Sequence, residues 1–283
     1  VYVNMNKDVT RFPIVKYKEH YVHMSERQII KYKEKTKKLN MSEEGSVKTA
    51  QKWSNGLYIT KGAEPKVKML VNNIIGNKRE VHYVYSQYYR QGLADVEREL
   101  QERGYKRAMV GNIDTKEKKY MVAKASEKFK TTDTENKILA KYNSKENATG
   151  KYIGVLLATD SYNAGIDLKS VKHVHFLEPP IKYIDVVQGV GRAARYCSHK
   201  FLRRKDWKVT VHSYFSTGVS ASAKSIDEMV YDKSKREEKR INAYMQMLKN
   251  ASVDCKVMYH FHGEEAKCVD GNPTMNIFAR RGF

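Results

Sequence analysis

Short runs of apolar and β-branched residues, with little polar alternation, constrain the fold of this chain more than any other feature. Four such runs occur along the sequence: VHYVYS (81–86), YIGVLLAT (152–159), VKHVHFLE (171–178) and KVTVHSYFS (208–216). Strands that are buried on both faces of a parallel sheet have this composition. Helical patterns separate the runs, as in LADVERELQERGY (93–105) and IKYIDVVQGVGRAAR (181–195). The alternation of strands and helices predicts an α/β fold with a doubly wound parallel sheet.

Shifts in composition divide the 283 residues into three parts. Residues 1–62 are rich in Lys and Tyr and are interpreted as a lead-in segment, partly helical, with one helix near 24–38. Residues 63–223 hold the predicted strands, apart from a polar stretch at 110–132 that we expect to be an insertion or a flexible loop. Residues 224–283 begin with a long charged helix, whose apolar residues suit docking on the sheet domain, and end in a tail.

The charge balance is strongly basic. The chain carries 53 Lys and Arg against 32 Asp and Glu, which leaves a net charge of +21. Such a balance attracts polyanions, so nucleic acid is the first partner to consider, although a solvated basic surface is the alternative. No stretch is apolar over the ~18 residues that a membrane helix needs, and the first residues lack the pattern of a signal peptide. We therefore expect a soluble, unsecreted protein with no membrane partner.

Cysteine and histidine residues near the end of the sequence form one candidate metal site. Cys255, His260, His262 and Cys268 could ligate zinc, but they lack the close cysteine pair of most structural zinc sites. The alternative is that they are ordinary residues of the tail, and we expect no metal there. With Cys197 the chain has three cysteines and no CxxC pair, so a disulfide framework is not expected.

The segment QGVGRAAR (188–195) follows a predicted strand and is expected on a helix or at its start. Arg192 and Arg195 are three residues apart, so both side chains would lie on one helical face and could reach a single anion. Guanidinium groups match phosphate oxygens with a fork of donors, and a positioned arginine stabilises charge on a transferring γ-phosphoryl group. Gly189 and Gly191 would let the backbone approach a ligand or an opposing lobe. The alternative is a pair of surface arginines on an ordinary helix.

The segment ATDSYNAGIDL (158–168) leaves a buried strand and turns sharply. It would place Thr159, Asp160, Gly165 and Asp167 at the carboxyl edge of the sheet, where open α/β sheets bind ligands. A threonine hydroxyl and free backbone N–H groups can hold a phosphodiester, and an aspartate can accept a hydrogen bond from a ribose hydroxyl. For Asp167 the alternative is a turn or capping residue. The arginine pair is expected to point toward these strand ends rather than into internal ion pairs.

In order and spacing, these segments resemble motifs of superfamily 2 helicases. ATDSYNAGIDL is similar to motif V, QGVGRAAR to the QxxGRxxR form of motif VI, and VHYVYSQ (81–87) to motif IV. The resemblance implies that residues 63–223 form the second RecA-like lobe of an ATP-dependent helicase or translocase. Helical extensions would flank this lobe on both sides.

The resemblance also implies roles for individual residues. As arginine fingers, Arg192 and Arg195 would contact the γ-phosphate of ATP bound to the first lobe, and Gln188 would couple that nucleotide to the lobe interface. The resemblance further implies that Gly165 and Gly191 contact the nucleotide and that Asp167 contacts its ribose side. It implies that the nucleic-acid backbone is contacted by Ser86, Gln87, Thr159 and Asp160. No residue is implied as a metal ligand.

Two flanking segments are similar to helicases of large cytoplasmic DNA viruses. They are FPIVKYKEHYVHMSERQIIKY (12–32) and SIDEMVYDKSKREEKRINAYMQMLKNASVDC (225–255). The relatives in question are poxvirus early transcription factor small subunits, poxvirus nucleoside triphosphate phosphohydrolases I and their African swine fever virus counterparts. This resemblance implies a DNA-directed motor linked to transcription, located in the host cytoplasm and the virion, with viral RNA polymerase as a further partner.

Two motor elements do not occur in the sequence. It has no GxxxxGK[ST] loop and no acidic pair after an apolar strand, since Asp227-Glu228 is interpreted as first-turn charge of the long helix. ATP and Mg²⁺ would therefore be held mainly by an N-terminal lobe, and the fragment alone should be inactive. Two alternatives stay open: a nonenzymatic nucleic-acid-binding module with a degenerate motor fold, and a transcription-factor subunit that docks a polymerase.

Overall fold

Seven parallel strands form one sheet at the centre of the fold. The computed structural model describes residues 12–57, 63–123, 133–159, 166–219 and 223–251. The strands are β1 (Ile14–His23), β2 (Val81–Ser86), β3 (Lys106–Arg107), β4 (Lys119–Ala123), β5 (Val155–Thr159), β6 (Val171–Phe176) and β7 (Lys208–Thr217). Their order in the sheet is β1-β7-β6-β2-β5-β4-β3, and every neighbouring pair is parallel. The predicted α/β fold with a doubly wound parallel sheet is confirmed.

Helices lie before, between and after the strands. They are α1 (Glu26–Thr36), α2 (Glu44–Asn55), α3 (Pro65–Gly76), α4 (Ala94–Glu102), α5 (Asp133–Tyr142), α6 (Tyr183–Ala193) and α7 (Ile226–Ala251). Single turns occur at Tyr89–Leu93, Lys145–Asn147 and Arg204–Asp206. α1 begins as the sequence predicts, because the Ser25 side chain accepts a hydrogen bond from the backbone N–H of Gln28 at 3.2 Å.

Apolar layers cover both faces of the sheet. Tyr83 of β2 packs with residues of α5 and α6, and its neighbour Val84 packs with residues of α3 and α4. Successive strand residues point to opposite faces, so a strand covered on both sides is apolar at nearly every position. A third cluster joins α1, α2 and the start of α7 through Tyr32, Ala50 and Ile226. Burial of such side chains stabilises the fold by about 1.5–3 kcal/mol each.

The lead-in segment contributes a strand that the sequence patterns did not predict. β1 runs parallel to β7, with Ile14 opposite Lys208 and His23 opposite Thr217. It lies at the edge of the sheet, and most of its residues are at least partly exposed. Charged side chains are common on edge strands because they prevent pairing with other chains. The segment therefore lacks the apolar run that reveals the buried strands.

β4 corrects the interpretation of residues 110–132 as an insertion or a flexible loop. Its five residues are all buried, and the strand lies between β3 and β5. Tyr120 is paired with Val155, and Ala123 is paired with Ala158. The strand is short and follows a run of lysines, so its apolar pattern is too brief to stand out in the sequence.

The chain divides into two compact units. The first spans residues 8–232 and contains the seven strands. Of the second, the structure describes residues 233–251, which are the later turns of α7. The predicted docking of this helix is observed in its first turns, where Ile226 and Val230 are buried in the first unit.

Two further predictions concern metal ligands and membranes. The candidate zinc ligands Cys255, His260, His262 and Cys268 lie outside the described residues. Within the described ranges, no helix combines the length and the apolar character that crossing a membrane requires.

Candidate functional site

The two arginines of the QGVGRAAR segment contact neighbouring residues, Ile166 and Asp167. Arg192 lies in the last turn of α6, is 7% exposed, and donates from Nη1 to the backbone oxygen of Ile166 at 3.2 Å. Arg195 forms an ion pair with Asp167, and both of these side chains are about half exposed. The structure thus brings together three residues that the sequence analysis assigned to the nucleotide.

The two arginines do not share a helical face, so that prediction was wrong. α6 ends at Ala193, and Ala194 has backbone angles of φ −103° and ψ 38°, which are not helical. Arg195 therefore lies beyond the helix. It reaches Asp167 because the chain turns after Ala194, and not because of helical periodicity.

Asp167 lies away from the carboxyl edge at which the sequence analysis placed it. Its backbone oxygen accepts a hydrogen bond at 2.8 Å from Nδ2 of Asn143, which follows α5. Oδ1 of Asn143 accepts another, also at 2.8 Å, from the backbone N–H of Lys169. These contacts hold the segment around Asp167 beside the C-terminal end of α5. The same segment then leads into the amino end of β6. The arginine pair accordingly meets this segment, and not Thr159 at the carboxyl edge.

Burial and neighbouring charges affect the ionisation of Arg192. Burial lowers the pKa of its guanidinium and Arg195 lowers it too, while Tyr83 and Asp167 act in the opposite direction. Arginine starts from a pKa of about 12.5 or higher, so Arg192 stays charged at neutral pH. Arg192 is therefore a largely buried cation that is hydrogen-bonded to Ile166, whereas Arg195 is a half-exposed cation in a surface ion pair.

Gly189 and Gly191 of α6 have different surroundings. A Cβ atom on Gly189 would lie 2.9 Å from Cζ of Phe176, so this glycine allows α6 to pack closely on the sheet. A Cβ atom on Gly191 would meet no atom within 4 Å. Close approach to an external ligand thus stays a prediction for Gly191, while Gly189 serves packing inside the domain. Gln188 is exposed on the same helix.

Ser86 and Thr159 end neighbouring strands and are paired in register at the carboxyl edge of the sheet. Thr159 is 7% exposed, and Ser86 is fully buried. The Ser86 hydroxyl donates to Oε2 of Glu178 at 2.9 Å and accepts a hydrogen bond from the backbone N–H of Tyr88 at 3.1 Å. Because this hydroxyl is used inside the protein, Ser86 has no exposed surface for the predicted contact with nucleic acid.

A buried carboxyl group that the sequence analysis did not single out organises this edge. Glu178 accepts hydrogen bonds from the backbone N–H of Gln87 at 2.5 Å and from Nδ2 of Asn55 at 2.8 Å. Burial raises the pKa of Glu178 to about 7, and the opposing effects of Lys66 and of the hydrogen-bond donors are smaller. The one signal for it in the sequence is a lone glutamate that closes the apolar run at 171–178.

Three more of the described residues bear on the carboxyl edge. The amide nitrogen Nε2 of Gln87 is buried, with no hydrogen-bond partner among the described residues. Arg90 and Lys182 are exposed cations that follow β2 and β6, and the sequence analysis did not single them out. Asp160, assigned there to nucleic acid, lies outside the described residues, as does Gly165 of the predicted nucleotide set.

Comparison with known proteins identifies the domain. The family model described as helicase conserved C-terminal domain matches residues 65–197. The chain is 29% identical over 203 residues to a killer plasmid pGKL-2 helicase of Kluyveromyces lactis, which covers 71% of this chain and 32% of that protein. It is 31% identical over 130 residues to nucleoside triphosphatase I of Heliothis armigera entomopoxvirus, which covers 46% of this chain and 19% of the other.

An African swine fever virus protein, the termination factor NPH-I homolog, is 26% identical over 264 residues, with 79% of this chain and 36% of that protein covered. The chain thus spans about a third or less of the length of these relatives. Among solved structures, the C-terminal part of the Fun30 ATPase domain has the same fold, with a TM-score of 0.56 at 13% identity, covering 78% of this chain and 89% of that one. Residues 65–197 therefore match the helicase conserved C-terminal domain, the fold is RecA-like, and the chain is similar to helicases and nucleoside triphosphatases of large DNA viruses.

Proposed function

We propose that this chain is the second motor lobe of an ATP-dependent superfamily 2 helicase or translocase, with Arg192 and Arg195 as its arginine fingers. The observation that carries the proposal is the convergence of both guanidinium groups on Ile166 and Asp167 within a helicase C-terminal domain. Two cations on one short segment form a preorganised binding surface for a phosphate group.

The lobe would complete a nucleotide site whose other wall lies on an N-terminal lobe. ATP would supply the phosphoryl group, and Mg²⁺ would neutralise its charge. The N-terminal lobe would make most of the contacts to both. The residues present here fit the remaining part of that site, because the half-exposed guanidinium of Arg195 offers donors beside an acidic partner. Gln188 is exposed on the same helix and is suited to contact the lobe interface.

Closure of the two lobes would exchange the partner of Arg195. Its ion pair with Asp167 is exposed, and such pairs contribute about 0–1 kcal/mol, so a phosphate group can replace the carboxylate at little cost. Asp167 would then be free to accept a hydrogen bond from the ribose. Arg192 would keep the hydrogen bond from Nη1 to Ile166 and would offer its other guanidinium nitrogens to the γ-phosphate. Closure and opening of this kind are the gating motions of domain-based motors.

Nucleic acid would bind at the carboxyl edge of the sheet through its phosphate backbone. Arg90, Lys182 and the end of β5 at Thr159 lie at this edge. The net charge of +21 favours a polyanion. Contacts to phosphates predict weak sequence preference and a strong dependence on salt, with DNA as the first substrate to test.

A link to viral transcription is the narrower part of the proposal. One relative is named a termination factor NPH-I homolog and another is named nucleoside triphosphatase I. The first name supports a link to transcription. From the resemblance of the flanking segments to viral helicases we further propose a motor that acts with a viral RNA polymerase in the host cytoplasm, is carried in the virion and belongs with the early transcription factors. The competing proposal is a binding or polymerase-docking module without a working motor.

Substitution of the two arginines in the full-length protein tests the motor. We expect Arg192→Ala and Arg195→Ala each to reduce ATP turnover by ~10³-fold, the usual effect of removing a transition-state arginine. Binding to nucleic acid should change little. Arg203→Ala is the matched control for Arg195→Ala, because Arg203 is also an exposed arginine paired with an aspartate, Asp206. Normal turnover in both finger variants would refute the assignment, and a wild-type protein that binds DNA without hydrolysing ATP would favour the binding module.

A further inference from the structure

Five histidines form a row across four neighbouring strands of the sheet. They are His20 on β1, His212 on β7, His173 and His175 on β6, and His82 on β2. Adjacent rings in the row stack with centroids 4.7–5.4 Å apart, as in the pairs His175–His212 and His82–His175. Four polar rings buried side by side in a sheet are unusual for a core layer. The proposed motor uses none of them.

Three of the five rings are placed to share one ligand. One ring nitrogen from each of His82, His173 and His175 lies within 4.8 Å of the other two, and all three residues are buried. Nδ1 of His82 is 3.1 Å from Nε2 of His175. Two imidazole nitrogens bound to one zinc ion at ~2.0–2.1 Å in tetrahedral geometry are roughly 3.3 Å apart. This pair therefore already has the spacing of two ligands on one metal.

The other nitrogen of each ring contacts a polar group of the protein. Nε2 of His82 is 3.0 Å from the backbone oxygen of Asn77, and Nδ1 of His175 is 2.9 Å from the hydroxyl of Tyr214. Nε2 of His173 contacts the carboxylate of Glu80. Histidine ligands of metals almost always have such a partner on the second nitrogen, because it fixes the tautomer and aims the lone pair.

We propose that His82, His173 and His175 bind a divalent transition-metal ion, with Zn²⁺ the first candidate. Imidazole is a ligand of zinc, copper, iron and nickel, and burial favours the neutral, metal-binding form of the ring. Structural zinc is four-coordinate. His212, whose Nε2 atom lies 3.0 Å from Nδ1 of His173 but which is not in the group of three, would have to move toward the ion to become the fourth ligand.

The bound metal would have a structural role. β6 contributes two of the ligands and β2 contributes one, and these strands are neighbours at the centre of the sheet. Because the ligands are buried, the ion would enter during folding and exchange slowly. A metal that binds the folded state alone adds its binding free energy to stability. The competing explanation is a row of neutral histidines hydrogen-bonded to one another, with no metal.

Metal analysis of the purified chain tests the proposal. Protein purified without chelators from zinc-supplemented cells should contain about one equivalent of zinc by elemental mass spectrometry. The variants His82→Asn and His175→Asn should lose it. His199→Asn is the matched control and should keep it, since His199 is also fully buried but outside the row.

A second variant separates this site from the cysteine–histidine tail. Cys255→Ser/Cys268→Ser removes two candidate ligands of the tail and should retain about one equivalent. Cobalt-loaded protein should show visible ligand-field bands without the charge-transfer absorption of a thiolate. These two measurements use chains that keep the histidine row, so they decide the question even if the histidine variants do not fold.

Two outcomes would overturn the proposal. One is a wild-type chain that holds less than about a tenth of an equivalent of zinc, cobalt, nickel or copper after supplementation, with a melting temperature that neither zinc nor chelator shifts. The other is loss of the metal in Cys255→Ser/Cys268→Ser, which would assign it to the tail. In both cases the row would be a hydrogen-bonded core layer.

Discussion

The carboxylate of Asp167 and the guanidinium of Arg195 form an ion pair whose side chains are 54% and 53% exposed. A pair this exposed contributes about 0–1 kcal/mol to stability. We expect Asp167→Asn to change the free energy of unfolding by less than about 1 kcal/mol. In the full-length protein it should nevertheless lower ATP turnover, because Asp167 positions Arg195 and is proposed to reach the ribose. Urea denaturation and a steady-state ATPase assay measure the two effects.

Asp206→Asn is the matched control for this prediction. Asp206 also pairs with an exposed arginine, Arg203, but outside the proposed site. Stability and turnover should both stay at wild-type levels. A loss of more than about 2 kcal/mol in Asp167→Asn, beyond what an exposed pair contributes, would show that Asp167 acts in folding and would contradict its proposed role.

The two glycines of α6 provide a second prediction. Gly189→Ala places a methyl group 2.9 Å from Cζ of Phe176, so either the helix or the buried Phe176 ring must shift. Overpacking of this kind costs about 1–3 kcal/mol. Gly191→Ala meets no atom within 4 Å and gains helix propensity, so it should leave stability unchanged or raise it by up to about 1 kcal/mol. Chemical denaturation of both variants measures the difference.

The same pair tests the lobe interface. If the backbone at Gly191 closes against a partner lobe, Gly191→Ala should reduce ATP turnover of the full-length protein while its stability is intact. Equal destabilisation by the two substitutions would contradict the packing described for α6.

Burial on both faces decided which strands the sequence could predict. β2, β5, β6 and β7 are covered by helices or strands over most of their length, so each leaves a visible apolar run. β1 lies at an edge, where Lys16, Lys18 and Glu19 interrupt the apolar residues and conceal the strand. β4 is buried, but its apolar run is only the four residues 120–123 and follows a lysine-rich segment, whereas β5 lies within the longer run at 152–159.

Motif spacing found the residues of the candidate site but not their contacts. Arg192, Arg195 and Asp167 were identified as residues, yet the end of α6 at Ala193 redirects Arg195. Glu178 was missed because its importance depends on partners far along the chain, such as Asn55, 123 positions away. Hydrophobic periodicity reports local structure, and it carries no information on contacts between residues so far apart in the sequence.

Glu178 provides a prediction on pH. Burial raises its pKa to about 7, against about 4.5 for an ordinary glutamate. The folded state therefore holds a proton that the unfolded state has lost, so the contribution of Glu178 to stability is complete below pH 4.5 and is lost as the pH rises through 7. We expect the free energy of unfolding to fall by about 2 kcal/mol between pH 5.5 and 8 from this group.

Glu178→Gln isolates that contribution. The variant has no ionisable group at this position. Its free energy of unfolding, measured by urea denaturation, should therefore fall by about 2 kcal/mol less between pH 5.5 and 8 than that of the wild type. Its absolute stability at pH 5.5 should be lower by about 1–3 kcal/mol, since the amide faces buried donors such as the Gln87 backbone N–H. Identical pH dependence in both proteins would show that Glu178 is ionised throughout.

A buried ion pair between Lys66 and Asp227 links α3 to the start of α7. Nζ of Lys66 is 2.7 Å from Oδ2 of Asp227, and both side chains are at most 1% exposed. The same oxygen accepts hydrogen bonds from the hydroxyl of Ser54 at 2.6 Å and from the backbone N–H of Ser216 at 2.9 Å. This carboxylate therefore joins α2, α3, β7 and α7, and its removal would leave a buried ammonium group without its counter-charge.

We expect Asp227→Ala to lower the free energy of unfolding by about 3–5 kcal/mol, the usual effect of breaking a buried pair. Asp232→Ala is the matched control: it removes an aspartate a little further along α7 whose partner, Lys224, is exposed, and it should cost about 1 kcal/mol or less. The double variant Lys66→Met/Asp227→Leu should recover much of the loss, because apolar side chains of similar size need no counter-charge. Urea denaturation of the three variants gives these differences. A double variant no more stable than Asp227→Ala would mean that the loss does not come from an ammonium group left without its counter-charge, and the link between α3 and α7 would then have to come from packing around Ile226.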